Sequence, residues 1–161
     1  MAITAGDKLP VATLLRMGDN GPEAVDVHAL AQGRVVFFAV PGAYTGTCTT
    51  AHVPSFIRTR AEFEAKGVDA IYCVAVNDPF VMAAWGDDTG ATAAGIVMLS
   101  DAQGEFTKAM GMTFDVPSRG LVNRSNRYAM LVEDGVVKVL QQEDQNGQCS
   151  VSGGEALLAA I

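Results

Sequence analysis

Reactive side chains are scarce in this chain. Among 161 residues there are three cysteines and two histidines. They are too few and too scattered for a structural zinc site, which takes four closely spaced Cys or His ligands. No metal is therefore expected, and nothing points to an organic cofactor. No Cys-x-x-Cys pair is present, so a dithiol carrier has no motif to work with. Gly-x-Gly-x-x-Gly, P-loop and Gly-x-Ser-x-Gly patterns are missing, which argues against dinucleotide, nucleotide and serine-hydrolase chemistry. Lysine and arginine form no cluster and the net charge is -7, so nucleic acid, which needs concentrated positive charge, is not an expected partner. No apolar run approaches the ~20 residues that cross a bilayer, and no membrane partner is expected. The opening residues MAITAGDKLP lack the basic start and apolar segment of a secretory leader. The expected location is a reducing cytoplasm, where cysteines stay free, catalytic or redox-active.

What is present is ordinary globular material: 49% hydrophobic and 18% charged residues, enough for one domain over 1–161. The stretches VATLLRM and EAVDVHAL flank a Gly/Asn/Pro turn and predict an N-terminal β-hairpin. RVVFFAV (34–40) and VDAIYCVAV (68–76) are continuous apolar runs, as in strands covered on both faces. Between them, Val53, Phe56, Ile57, Arg60 and Phe63 fall at helical spacing. Pro54 predicts a kink there, because it cannot donate to the Thr50 carbonyl. Asn77-Asp78-Pro79 caps a helix running toward Asp88. GIVMLSD (95–101) predicts a third strand and GEFTKAMGM a short helix. RYAMLVEDGVVKVLQQE predicts a hairpin on Asp134-Gly135, and GGEALLAAI a closing helix. The order βαβαβα then ββα predicts an α/β fold, a mixed central sheet flanked by helices.

In this order Cys48 of VPGAYTGTCTTAHVP follows a strand and a short loop and precedes a helix. Unpaired amides and the positive dipole end at a helix start favour a thiolate. A thiol pKa lowered from ~8.5 to ~6 raises the thiolate fraction at pH 7 about 30-fold. The accompanying drop in nucleophilicity loses roughly 10–20-fold. The two nearly cancel, so the site must also stabilise charge on the departing atom with fixed donors and cations. Thr45, three residues earlier, offers a hydroxyl. Pro41 can shape the loop and cover the thiol. Arg124 and Arg127, beside the start of a strand in NRSNRYAMLV, are the candidate cations, with Arg124 as supporting donor. His52, four residues after Cys48, is either a proton shuttle or a packed or capping histidine.

Pro41-x-x-x-Thr45-x-x-Cys48 with a later strand-start Arg127 resembles the peroxiredoxin active site. PGAYTGTCTTAHVPSF, CVAVNDPFVMAAWG and RYAMLVEDGVVKVL together resemble the type-5 peroxiredoxins, called type II in plants, over almost the whole chain. One departure stands in the loop: the family usually reads Phe-Thr-Pro-Thr-Cys where this chain has Tyr44-Thr45-Gly46-Thr47-Cys48. The resemblance implies a thioredoxin-like fold with an N-terminal β-hairpin extension. It implies an antioxidant thiol peroxidase that reduces hydrogen peroxide and small alkyl hydroperoxides through a Cys48 sulfenic acid. By the same carry-over Arg127 holds the thiolate and polarises the peroxide, Thr45 positions it, and Pro41 shields the sulfenate. The implied reductants are glutathione, glutaredoxin or thioredoxin, and the implied assembly is a homodimer.

A sulfenic acid must be resolved by a second thiol or oxidise further. Cys149 matches the resolving cysteine of animal type-5 enzymes and Cys73 the second cysteine of plant type-II enzymes. Cys73, mid-strand among apolar residues, also reads as a small buried hydrophobe. Cys149, in a polar, Gly-flanked loop, fits an inert core role less well and is the favoured resolver. The third route is direct attack on Cys48 by an outside thiol. A peroxide sensor that passes oxidation to a partner protein would use the same Cys48 chemistry without turnover.

Overall fold

The computed structural model describes residues 1–161. Nine strands and five helices follow in the order β1 (Thr13–Gly18), β2 (Gly21–Asp26), α1 (Val27–Leu30), β3 (Arg34–Ala39), α2 (Val53–Ala65), β4 (Ala70–Ala75), α3 (Pro79–Thr89), β5 (Val97–Ser100), α4 (Glu105–Ala109), β6 (Thr113–Val116), β7 (Leu121–Ser125), β8 (Tyr128–Glu133), β9 (Val136–Gln142) and α5 (Gly154–Ala160). Seven strands form one mixed sheet in the order β2-β1-β5-β4-β3-β8-β9. β3, β4 and β5 are parallel, and the hairpins β1–β2 and β8–β9 extend the sheet antiparallel at its two edges. This is the thioredoxin-like arrangement, with the N-terminal hairpin added beside β5.

The continuous apolar runs of β3 and β4 have a plain cause. Successive side chains alternate between faces, and both faces are covered. Val36, Phe38, Ile71 and Cys73 pack on one side against Phe56 and Phe63 of α2, Trp85 of α3 and Leu157 of α5. Val35, Phe37, Tyr72 and Val74 pack on the other against Val27, Phe106 and Met112. Asp78 caps α3 by accepting from the Val81 amide at 2.9 Å, and Asp134 and Gly135 both take positive φ in the β8–β9 turn, as their sequence predicts. The antiparallel pair β6–β7 was not predicted. Its segment, TFDV followed by PSRG and LVNRS, carries weak alternation broken by Pro117, and it pairs only with itself in a separate two-stranded sheet. No helix is long and apolar enough to cross a membrane.

Pro54 has a local consequence. Residues Cys48–His52 form a π-helical turn that runs directly into α2, and the Val53 amide reaches back to the Cys48 carbonyl. Proline cannot supply the donor that an α-turn would require at position 54, and its ring would crowd the Thr50 carbonyl. The widened turn just upstream is how the expected kink is realised.

Candidate active site

The loop from β3 to the π turn is tied at each step. The Ala43 amide donates to Asn77 Oδ1 at 2.9 Å, just before the cap of α3. Thr45 Oγ1 donates to the Gly42 carbonyl at 2.8 Å, and the Thr45 carbonyl accepts from the Thr49 amide at 3.1 Å. Arg124 Nη1, from β7, donates to the Pro41 carbonyl at 3.3 Å. A side chain at Gly42 would come within 2.7 Å of that same nitrogen, so only glycine lets Arg124 approach. Tyr44 takes a left-handed φ of 62° and its hydroxyl donates to Asp88 at 2.6 Å, tying the loop to the far end of α3.

Cys48 lies in the first helical turn and is fully buried. Its Sγ accepts a hydrogen bond from Arg127 Nη2 at 3.0 Å. Arg127, only 2% exposed, is itself held by every edge of its guanidinium. Nε donates to the Asn146 carbonyl at 2.9 Å and Nη1 lies 2.9 Å from His52 Nδ1, while the Arg127 amide donates to Asn146 Oδ1. His52 Nε2 sits 2.8 Å from the Ser152 carbonyl. A carbonyl can only accept, so Nε2 carries the ring proton and Nδ1 keeps a lone pair for Arg127. Burial, and then the neighbouring Arg127 charge, lower the His52 pKa to about 3. His52 is therefore held neutral, packs 4.9 Å from the Phe38 ring and offers its Nδ1 lone pair to Arg127. Four residues apart in the same helical turn, Cys48 and His52 lie on one side of it, both against one guanidinium.

A cleft of about 370 Å³ opens over this cluster. Pro41, Thr45, Gly46 and Thr47 form one wall, and Phe114, Val116, Arg119 and Leu121 of the β6–β7 unit form the other, with Arg127 and Asn146 between them. The structure thus brings Pro41, Thr45, Cys48, His52, Arg124 and Arg127 together. The two remaining cysteines make no hydrogen bond to the guanidinium, although its charge reaches both. Cys73 is fully buried in β4, paired with Phe38 and Met98 of the flanking strands, and burial pushes its thiol well above the usual range. Cys149 is half-buried, its thiol also raised, first by burial. Its sulfur faces Gly153, where an added Cβ would lie 3.5 Å away. All three thiols are free, and no group of three or more His, Cys, Asp or Glu side chains could hold a metal ion.

Asn146 and the β6–β7 wall were missed in the sequence. Asn146 holds Arg127 through both its side-chain Oδ1 and its backbone carbonyl, and its place in a polar loop announces neither. Phe114 and Leu121 sit in a segment without clear periodicity.

Known proteins resemble this chain over nearly its whole length. The Redoxin family model matches residues 4–158. The chain is 48% identical over 99% of its length to the chloroplastic peroxiredoxin-2E-2 of Oryza sativa, covering 72% of that protein. It is 40% identical to peroxiredoxin-2D of Arabidopsis thaliana, covering 99% of this chain and 98% of that one. Among solved structures, reduced Prx3 of Vibrio vulnificus in complex with hydrogen peroxide superposes with a TM-score of 0.92, 43% identity and 98% coverage of both chains. The expected cytoplasmic location does not stand. The relatives matched at 48% and 44% identity are chloroplastic proteins, and others are mitochondrial or peroxisomal. Free cysteines and an acidic composition suit any compartment that supplies a thiol reductant, so they never separated the cytosol from an organelle. On the family model and these relatives, the chain belongs to the peroxiredoxins, the thiol peroxidases of the Redoxin family, in their plant type-II branch.

Proposed function

We propose that the whole chain works as one domain in which Cys48 reduces hydrogen peroxide and small alkyl hydroperoxides. The Cys48 thiolate attacks the terminal peroxide oxygen. The S–O bond forms as the O–O bond breaks, sulfur is oxidised to the sulfenic acid, and the departing alkoxide or hydroxide takes up a proton to leave as alcohol or water. Arg127 Nη2, 3.0 Å from Sγ, carries this reading. A buried, immobilised guanidinium beside the sulfur can donate to both the thiolate and the bound peroxide, where charge develops. Thr45 lines the same cleft and offers its hydroxyl to the peroxide. Pro41 has no amide hydrogen to compete and covers the sulfur side. Phe114, Val116 and Leu121 give an alkyl group an apolar wall.

For recycling, we propose attack on the Cys48 sulfenic acid by an outside thiol, from glutathione, glutaredoxin or thioredoxin. The raised pKa values of Cys73 and Cys149 disfavour their thiolates, and Cys73 is locked in the sheet ladder on both sides. This departs from the expectation that Cys149 resolves. A homodimer is supported by exposed apolar side chains around the site, Tyr44 at 52%, Phe80 at 65% and Val122 at 53%.

The test is intact mass and peptide mapping after one equivalent of hydrogen peroxide with dimedone present. A dimedone adduct on Cys48 alone, lost in Cys48→Ser, is the expected outcome. A Cys48–Cys149 or Cys48–Cys73 disulfide would sink the outside-thiol route. A stable mixed disulfide with a partner protein after one turnover would favour a peroxide relay.

A further inference from the structure

Arg127 is held by a loop, and the loop is held by one carboxylate. Glu143 follows directly on β9 and is only 4% exposed, an unusual place for a lone acid with no cation against it. Its amide donates to the Arg127 carbonyl at 3.0 Å, joining it to the start of β8. Its side chain reaches across to the far end of the loop. Oε2 accepts from the amides of Ser150, Val151 and Ser152 at 2.9, 2.8 and 2.6 Å and from Ser152 Oγ at 2.7 Å. Oε1 accepts from Ser150 Oγ at 2.8 Å. Five donors on one buried carboxylate cinch residues 143–152 into a closed loop. Those hydrogen bonds outweigh the cost of burial and lower the Glu143 pKa to about 2, so the charge persists at any working pH.

The points where this loop touches the site lie inside the cinch, the Gly147 carbonyl that accepts from Thr47 Oγ1 at 2.8 Å among them. Asn146 supplies the carbonyl for Arg127 Nε, and Ser152 supplies the carbonyl that selects the His52 tautomer. We propose that Glu143 is a positioning residue for the peroxidase reaction: by closing the 143–152 loop it aims the Asn146 and Ser152 carbonyls, and through them sets the direction of the Arg127 guanidinium at Cys48. It touches neither sulfur nor peroxide. The consequence is selective. Attack on a peroxide needs Arg127 aligned with a departing oxygen, whereas alkylation by iodoacetamide expels iodide and makes no use of that alignment.

This proposal rests on the Cys48 reading above, and the experiment separates the two. The rates of Cys48 oxidation by hydrogen peroxide and alkylation by iodoacetamide are measured for the full chain and for Glu143→Gln. Glutamine keeps the shape but leaves one oxygen acceptor and puts an amide donor among donors. The peroxide rate divided by the iodoacetamide rate is expected to fall at least about tenfold. Both rates are read where circular dichroism shows each protein fully folded, because unfolded chain, alkylated but without Arg127 beside Cys48, would itself lower the ratio. Histidine nitrogen NMR is expected to change from the pure Nε2–H form of His52 to a mixture of tautomers. A ratio within twofold of wild type overturns the proposal. If wild-type Cys48 itself fails to react with peroxide, the Cys48 reading falls, and this one with it. Should Glu143→Gln not fold, the same ratio is read on Ser150→Ala/Ser152→Ala, which keeps the carboxylate and its three backbone donors. There a fall of about threefold is expected, and an unchanged ratio is the overturning result.

Discussion

Replacing His52 by glutamine removes the one fully buried base of the site, and the size of the effect follows from its surroundings. In the folded chain His52 protonates only at about pH 3, because burial and Arg127 both oppose a second charge. In the unfolded chain it protonates near pH 6.5. Between those values the unfolded state binds a proton that the folded state refuses, so stability falls as pH drops through this window. From pH 7 to pH 4 the loss from His52 alone is about 3 kcal/mol. Glu143 works in the same direction: its carboxyl is held at about pH 2, below its ordinary value, and its share of stability is lost as pH falls from the ordinary carboxylate range. By pH 4 the part lost is under about 1 kcal/mol, so the histidine dominates. Urea unfolding followed by circular dichroism, with reductant present, measures both proteins at pH 7 and pH 4. With a slope of about 2 kcal/mol per M, the wild-type midpoint should drop at least about 1.5 M more than that of His52→Gln. Glutamine is expected to be less stable at pH 7, since it cannot reproduce both ring contacts, but its midpoint should depend less on pH. Equal losses in the two proteins would refute the buried, neutral histidine and with it the tautomer that holds Arg127.

Arg127→Lys keeps the charge but cannot reach Cys48, His52 and Asn146 together. The peroxide rate constant is expected to fall about 10²–10³-fold, the usual loss for one oxyanion-type donor, and stopped-flow measurement showing less than threefold would remove Arg127 from the chemistry. Gly46→Pro restores the family's loop sequence. No atom lies within 4 Å of a Cβ there and its φ is not positive, and the position opens a helix. A gain of about 0.5–1 kcal/mol in unfolding free energy is expected. A loss would mean that the loop needs glycine's freedom.

Much of the fold could be read from the residues alone. Continuous apolar runs marked β3 and β4 because both faces of those strands are covered, and Asp78-Pro79 and Asp134-Gly135 act through local geometry that travels with the sequence. Pro54 foretold a distortion, since a missing amide is a covalent fact. The β6–β7 pair escaped because its alternation is weak and its only partner is itself.

The site divides along the same line. Pro41, Thr45 and Cys48 lie within eight residues of one another, so their order and spacing could carry the family resemblance that implied the chemistry. Arg127, remote in sequence, was one of two candidate cations at a strand start, and the family likeness singled it out. Only the tertiary structure decided what holds that arginine: the His52 tautomer, the Asn146 carbonyl and the Glu143 cinch. It also decided that Cys73 sits locked in the sheet while Cys149 lies beside Gly153. The reason is physical. A side chain's type sets what it can donate or accept, and sequence records type. Backbone carbonyls are the same in every residue, and which of them faces a guanidinium is settled only when distant segments pack.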